Sequence, residues 1–150
     1  MQLTKCLDTD IRPDKCILAR ERIKNGLLRR MDTLRHAIKE SSCKHMIHGI
    51  IVFLEEYIKV HLSEEERAMR HYGYPSYFPH KEKHERFAAG TLALKEELLE
   101  LRAPGARGAY ELSVKTVHMV VDWVNDHVTK DDKEFCWFLG HRPDSRPIIS

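Results

Sequence analysis

Residues 61–87 read HLSEEERAMRHYGYPSYFPHKEKHERF, and the spacing within them decides the fold. His61 and Glu65 stand four residues apart, His80 and His84 stand four apart, and Gly73, Tyr74 and Pro75 lie between the pairs. Residues four apart share one face of a helix, so each pair can aim two donor atoms at a single spot. Two such helices joined by a tight turn make half of a metal cage.

Working outward, the run before this stretch, CKHMIHGIIVFLEEYIKV, continues the same helical period back to the Ser41-Ser42 break, which predicts a helix over about 43–72. Upstream, Leu27, Met31, Leu34 and Ile38 recur at three to four residue spacing and predict a first helix over about 14–40, entered through Pro13 after an N-terminal arm at 1–13. Downstream, Phe87, Leu94, Leu98 and Leu101 give a third helix over about 77–102, closed by Pro104-Gly105. A fourth runs over about 109–139 on Val114, Val117, Val121, Val124 and Val128, ended by Gly140, with a tail at 140–150. Its β-branched residues weaken helix propensity, but the period decides for helix. The expectation is an all-α, antiparallel up-down-up-down four-helix bundle, in which metal sites are built on facing helices.

Composition narrows the use of such a bundle. The 150 residues, 42% hydrophobic and 32% charged, suit a single domain spanning 1–150. A formal charge of +2 with interleaved signs offers no basic face for nucleic acid. Apolar runs fall short of the roughly 18–20 residues of a membrane span, and the first residues lack a secretory core, so a cytoplasmic protein without membrane contact is expected. Cys6, Cys16, Cys43 and Cys136 form no C-x-x-C pair and read as buried or idle thiols rather than a disulfide framework.

The fourth helix closes the cage. In WVNDHVTKDDKEF, His127 is followed five residues on by Asp132, with Trp123 one turn before. The candidate metal ligands are therefore His61, Glu65, His80, His84, His127 and Asp132. Imidazole nitrogen with carboxylate oxygen suits iron, and also zinc or manganese; two acids among so many imidazoles suit a pair of irons. Phe87, Trp123 and Val124 are placed to wall the pocket. His36, His45, His48, His71, His118 and His141 fall out of register with the three blocks and read as surface or packed residues.

These blocks resemble the hemerythrin family, of the bacterial single-domain (bacteriohemerythrin) type. HLSEEERAM, YGYPSYFPHKEKHERF and WVNDHVTKDDKEF are similar to its three ligand motifs, and the likeness spans about Leu27 to Phe135. The resemblance implies two irons with an oxo or hydroxo bridge, Glu65 and Asp132 shared between them. His80, His84 and His127 would complete one iron, and His61 would hold the other beside the position for dioxygen. One family residue is missing: aligning the apolar ladder of the first helix puts Lys24 where a histidine belongs. His36 stands about 18 Å away along the axis, too far to replace it. Glu21 or Asn25 could supply an oxygen instead, and a lysine there would alter the second iron's affinity and oxygen chemistry.

The function expected is dioxygen binding, for storage, delivery or sensing, with no turnover required. Two alternatives stand beside it. One is an altered or mono-iron site acting on peroxide or nitric oxide. The other is a redox-responsive regulatory module that binds an unknown protein partner or itself.

Overall fold

A computed structural model describes residues 13–39, 43–101 and 106–142. The arm and most of the tail expected from the sequence lie outside these residues. The chain forms α1 (Pro13–Lys39), then α2 (Cys43–Glu56), which passes without a break through a π-helical stretch (Tyr57–Leu62) into α3 (Ser63–His71). After a turn come α4 (Tyr77–Glu100) and α5 (Ala106–Trp123), the latter running through a second π-helical stretch (Val124–Asp131) into α6 (Asp132–Gly140). The result is an all-α bundle of four antiparallel rods, α1, α2–α3, α4 and α5–α6, with no strand among the described residues.

The turn between the second and third rods is built by one glycine. Gly73 takes a φ of 67°, a region open to residues without a Cβ. Its N–H donates to the Arg70 carbonyl at 3.2 Å, and the Tyr74 N–H donates back to Met69 at 2.9 Å. These two bonds cap the last carbonyls of α3, and Tyr74 buries against the same apolar cluster as Met69.

Apolar side chains gather in two clusters. The larger holds Leu27, Met31 and Leu34 of α1, Ile47, Ile51 and Leu54 of α2, Phe87 and Leu94 of α4, and Val120 and Trp123 of α5. The smaller holds Met69, Tyr72, Tyr74, Phe135 and Leu139 at the opposite end. Between them lies a buried layer of Arg20, His61, Glu65, His80, His84, His127 and Asp132. Each helix therefore carries its inward stripe from apolar to ionisable and back to apolar.

Two of the cysteines are not idle thiols. Cys16 of α1 and Cys136 of α6, 120 positions apart in sequence, are joined by a disulfide, with Cα atoms 5.7 Å apart. Both lie on inward stripes, one turn from Arg20 and Asp132 respectively. Local spacing carried no sign of this, because the bridge depends on two distant rods meeting at one height. Closing so long a loop restricts the unfolded chain, which is worth about 2–5 kcal/mol.

Peptide mapping without reductant is expected to recover one linked peptide pair containing Cys16 and Cys136. C136S should lower the unfolding free energy by about 2–5 kcal/mol. Identical denaturant midpoints for oxidised, reduced and C136S protein would contradict the bridge.

Candidate metal centre

Both π-helical stretches sit where the ionisable layer crosses a rod. His61 lies inside the first and Glu65 just beyond it; His127 lies inside the second and Asp132 begins the helix that follows. In an α-helix, residues five apart diverge around the axis, whereas i to i+5 hydrogen bonding brings them back onto one side. The local widening is what lets His127 and Asp132 reach the same point. Hydroxyls take up carbonyls loosened by it: Thr129 donates to Val124 at 2.6 Å and Ser63 to Ile58 at 3.5 Å.

Five residues converge. One donor atom from each of Glu65, His80, His84, His127 and Asp132 lies within 4.8 Å of all the others. His80 Nε2 stands 2.7 Å from Glu65 Oε1 and 3.1 Å from Asp132 Oδ1. His84 Nε2 is 3.2 Å from Glu65 Oε1, and His127 Nε2 is 3.0 Å from Asp132 Oδ1. At metal–ligand distances of about 2.1 Å, adjacent donors around one first-row ion stand about 3 Å apart, which these spacings match.

A pair of imidazoles tests the fit more sharply. His84 and His127 face each other with their Nε2 atoms 3.0 Å apart. Their other nitrogens are each engaged by a carboxylate, Glu66 Oε2 on His84 Nδ1 and Asp131 Oδ2 on His127 Nδ1, both at 3.1 Å. In the tautomer that donates Nδ1–H to its carboxylate, each ring turns an Nε2 lone pair to the other. Two lone pairs pointed at each other in a buried layer repel unless a cation stands between them. The donor set fits a metal ion.

The electrostatics agree in direction. Burial alone would raise the Glu65 carboxyl, but the Arg20 guanidinium and a hydrogen bond from His80 hold it well below the usual carboxylate range. Asp132 is also lowered despite burial and the nearby Glu65 charge, by His127 and His80. For His80, burial opposes the charged ring, yet Asp132 and Glu65 together push it up to about 9. The layer thus keeps both acids ionised and, without a metal, holds a proton at His80.

His61 stands apart from the five. Its Nε2 approaches Glu65 Oε2 at 3.8 Å, and neither ring nitrogen has a hydrogen-bond partner. Burial, then the Arg20 charge, lowers it to about 4, so the ring is neutral. Tyr57 stacks on it with centroids 5.2 Å apart. The Tyr57 hydroxyl in turn accepts from Trp123 Nε1 at 3.1 Å. Trp123 stacks on His127 at 3.9 Å and on Phe87 at 4.2 Å, and Val124 is buried in the larger apolar cluster. Burial and the Asp132 and Glu65 charges keep Tyr57 a neutral phenol.

On the first helix, the expected Lys24, Glu21 and Asn25 do not reach the layer. Glu21 and Asn25 are exposed, and the Lys24 ammonium pairs with Glu21 at 3.0 Å. Arg20, one turn earlier, is the residue that enters, pairing with Glu65 and reaching Asp132 Oδ2 from Nε at 3.7 Å. The reason is register. The ladder alignment sets Lys24 level with His61, whereas the cage centres on Glu65, one turn farther from the α1–α2 connection; its antiparallel partner is then one turn before Lys24. The inward stripe accordingly runs Cys16, Arg20, Ile23, Leu27. Three further residues of the site, Glu66, Asp131 and Tyr57, carry no sign in the ligand spacing of the three blocks. Tyr57, outside those blocks, lies one turn before His61 and was findable by that step. His36, His45, His48, His71, His118 and His141 are all exposed.

Comparison with known proteins agrees with this geometry. Residues 21–136 match the hemerythrin family, described as the Hemerythrin HHE cation binding domain. The chain is 30% identical over 89 residues to a bacteriohemerythrin of Clostridium acetobutylicum, an alignment covering 59% of this chain and 64% of that protein. The chain thus spans a little under two thirds of that relative's length. No solved structure matches. With a family match over most of its length and a metal-fitting cage on three of its four rods, the chain belongs to the hemerythrin family.

Proposed function

We propose that this domain holds non-haem iron through Glu65, His80, His84, His127 and Asp132 and uses it to bind dioxygen, for storage, delivery or sensing. Family membership supplies the coarser part, a non-haem iron-binding and generally oxygen-binding domain. The observation that supports metal binding by these five residues is the facing pair of His84 and His127 Nε2 atoms, 3.0 Å apart, each ring with a carboxylate on its Nδ1. Iron, when bound, supplies redox chemistry and affinity for dioxygen; the chain supplies position, charge and dryness. Glu66 and Asp131 fix the imidazole tautomers. Tyr57, Phe87 and Trp123 close the layer against water on the side of the larger core.

One observation favours a second reading. The paired-iron arrangement of the family asks for a cation between the outer oxygens of Glu65 and Asp132, where Arg20 already stands. An iron site altered in this way suits reaction with peroxide or nitric oxide. No described helix is long and apolar enough to cross a membrane.

Ferrous protein prepared without oxygen and then mixed with air separates the readings. A visible band that forms and disappears on purging supports reversible dioxygen binding. Immediate, irreversible oxidation of the iron contradicts it and favours the second reading.

Metal uptake should also release a proton. His80, raised to about 9, is protonated in metal-free protein at neutral pH and must lose that proton to donate a lone pair. Affinity should therefore rise with pH, close to tenfold per unit up to about 9 from this group, and fall on acidification. Calorimetry in buffers of different ionisation enthalpy reads the proton directly. E66Q and D131N should each weaken metal binding by about 10–100-fold, by loosening the tautomers of His84 and His127.

A further inference from the structure

The two carboxylates of the layer divide their oxygens in the same way. Glu65 Oε1 and Asp132 Oδ1 face the three imidazoles, within 2.7–3.2 Å of their Nε2 atoms. Glu65 Oε2 and Asp132 Oδ2 face the other way, toward Arg20, Oε2 pairing with Nη2 and Oδ2 lying 3.7 Å from Nε. This is the pattern of two acids each shared between two cations. On the inner side the donors fit a metal ion. On the outer side the cation is a guanidinium.

We infer that Arg20 is the permanent second cation of this centre, and that the cage therefore takes one metal ion where a paired site would take two. Arg20 is buried and always charged, and its planar fork matches carboxylate oxygens. A second dication on the outer oxygens would have to displace it or share the space with it, against direct like-charge repulsion. Expelling it would leave a buried guanidinium without its acids, the costly way to break a buried pair. The charges also come out nearly even: two carboxylates, one guanidinium and one divalent ion leave a single positive charge in the layer, where a second divalent ion would leave three.

His61 fits the same account. It is the donor that a second ion would use, yet it stands 3.8 Å from the oxygen that Arg20 already pairs with, and it is left neutral without a partner on either nitrogen. Arg20 also lies one residue before the family match, which begins at Glu21. The consequence for function is a matter of electron count. Reducing dioxygen to the peroxide level takes two electrons, and one ferrous ion gives one.

The inference rests on the cage binding iron at all, and the test keeps the two apart. Full-length protein is loaded with ferrous iron under argon, desalted, and its iron measured by mass spectrometry. A ratio of one iron per chain is expected. Two would overturn the role given to Arg20 while leaving the iron reading intact; none would overturn the iron reading itself. After oxidation, a lone high-spin ferric ion gives an electron paramagnetic resonance signal integrating to one spin per chain. A bridged ferric pair is silent, and silence at full loading would likewise overturn the inference. R20A, with its helicity checked by circular dichroism, frees the outer oxygens and His61 and should raise the ratio toward two. R20K, which keeps a charge there, should stay near one. A folded R20A protein that remains at one iron would show that Arg20 does not hold the second seat. If R20A does not fold, the ratio and the spin count of the unaltered chain still decide.

Discussion

Ionisable groups packed into the middle of a small bundle repel or strand one another unless each finds an opposite charge or a lone-pair acceptor. The layer that crosses this bundle contains four imidazoles, two carboxylates and a guanidinium, all nearly inaccessible to water. Unpaired, a layer of this kind would oppose folding, since desolvating a charge costs several kcal/mol even after relaxation. Pairing of the outer carboxylate oxygens with Arg20 offsets part of that cost within the chain. The inner oxygens and the three converging Nε2 atoms still call for a cation, and in its absence the proton on His80 is a partial substitute. The apolar clusters on either side, the aromatic stack and the Gly73 turn all serve to keep this layer dry and its donors in register.

How much of this could be read from sequence depended on whether a relation was local. His80 and His84 lie on one rod, and a four-residue spacing was enough to place them together; His61 and Glu65 share the same spacing, yet His61 stands outside the five converging donors. The His127/Asp132 spacing of five was visible too, but its meaning was not. In an ordinary helix it would split the two side chains, and only the π-helical stretch over Val124–Asp131 reconciles it with a shared target. Relations between rods were harder. The Cys16–Cys136 bridge joins residues with no common motif, and the identity of the first-helix residue in the layer turned on an axial offset of one turn. The apolar ladder named Lys24, which stands level with His61; the antiparallel partner of Glu65 is one turn away, at Arg20. Charge identity would not have corrected the choice, because both residues are basic.

The difference between those two basic residues is more than one of place. A lysine ammonium is a compact charge on a flexible stem and can bend out to water, as Lys24 does in pairing with the exposed Glu21. Arginine presents several donors in a plane, which lets one side chain address two carboxylates from different rods at once. Arg20 uses this to tie α1 to Glu65 of α3 and to Asp132 of α6. The first rod supplies none of the five cage donors, yet it reaches the cage through this one group.

The disulfide bears on the same contact. Cys16 is one turn from Arg20 along α1, and Cys136 is one turn from Asp132 along α6, so the bridge and the ion pair are neighbouring rungs between the same two helices. A covalent rung at 5.7 Å between Cα atoms leaves little freedom in how far α1 can stand from α6 at the height of the layer. Arg20 Nε meets Asp132 Oδ2 at 3.7 Å one turn from that rung. The bridge thus limits how far the Arg20 backbone can move from Asp132, and the side chain has only to span a distance that is already set.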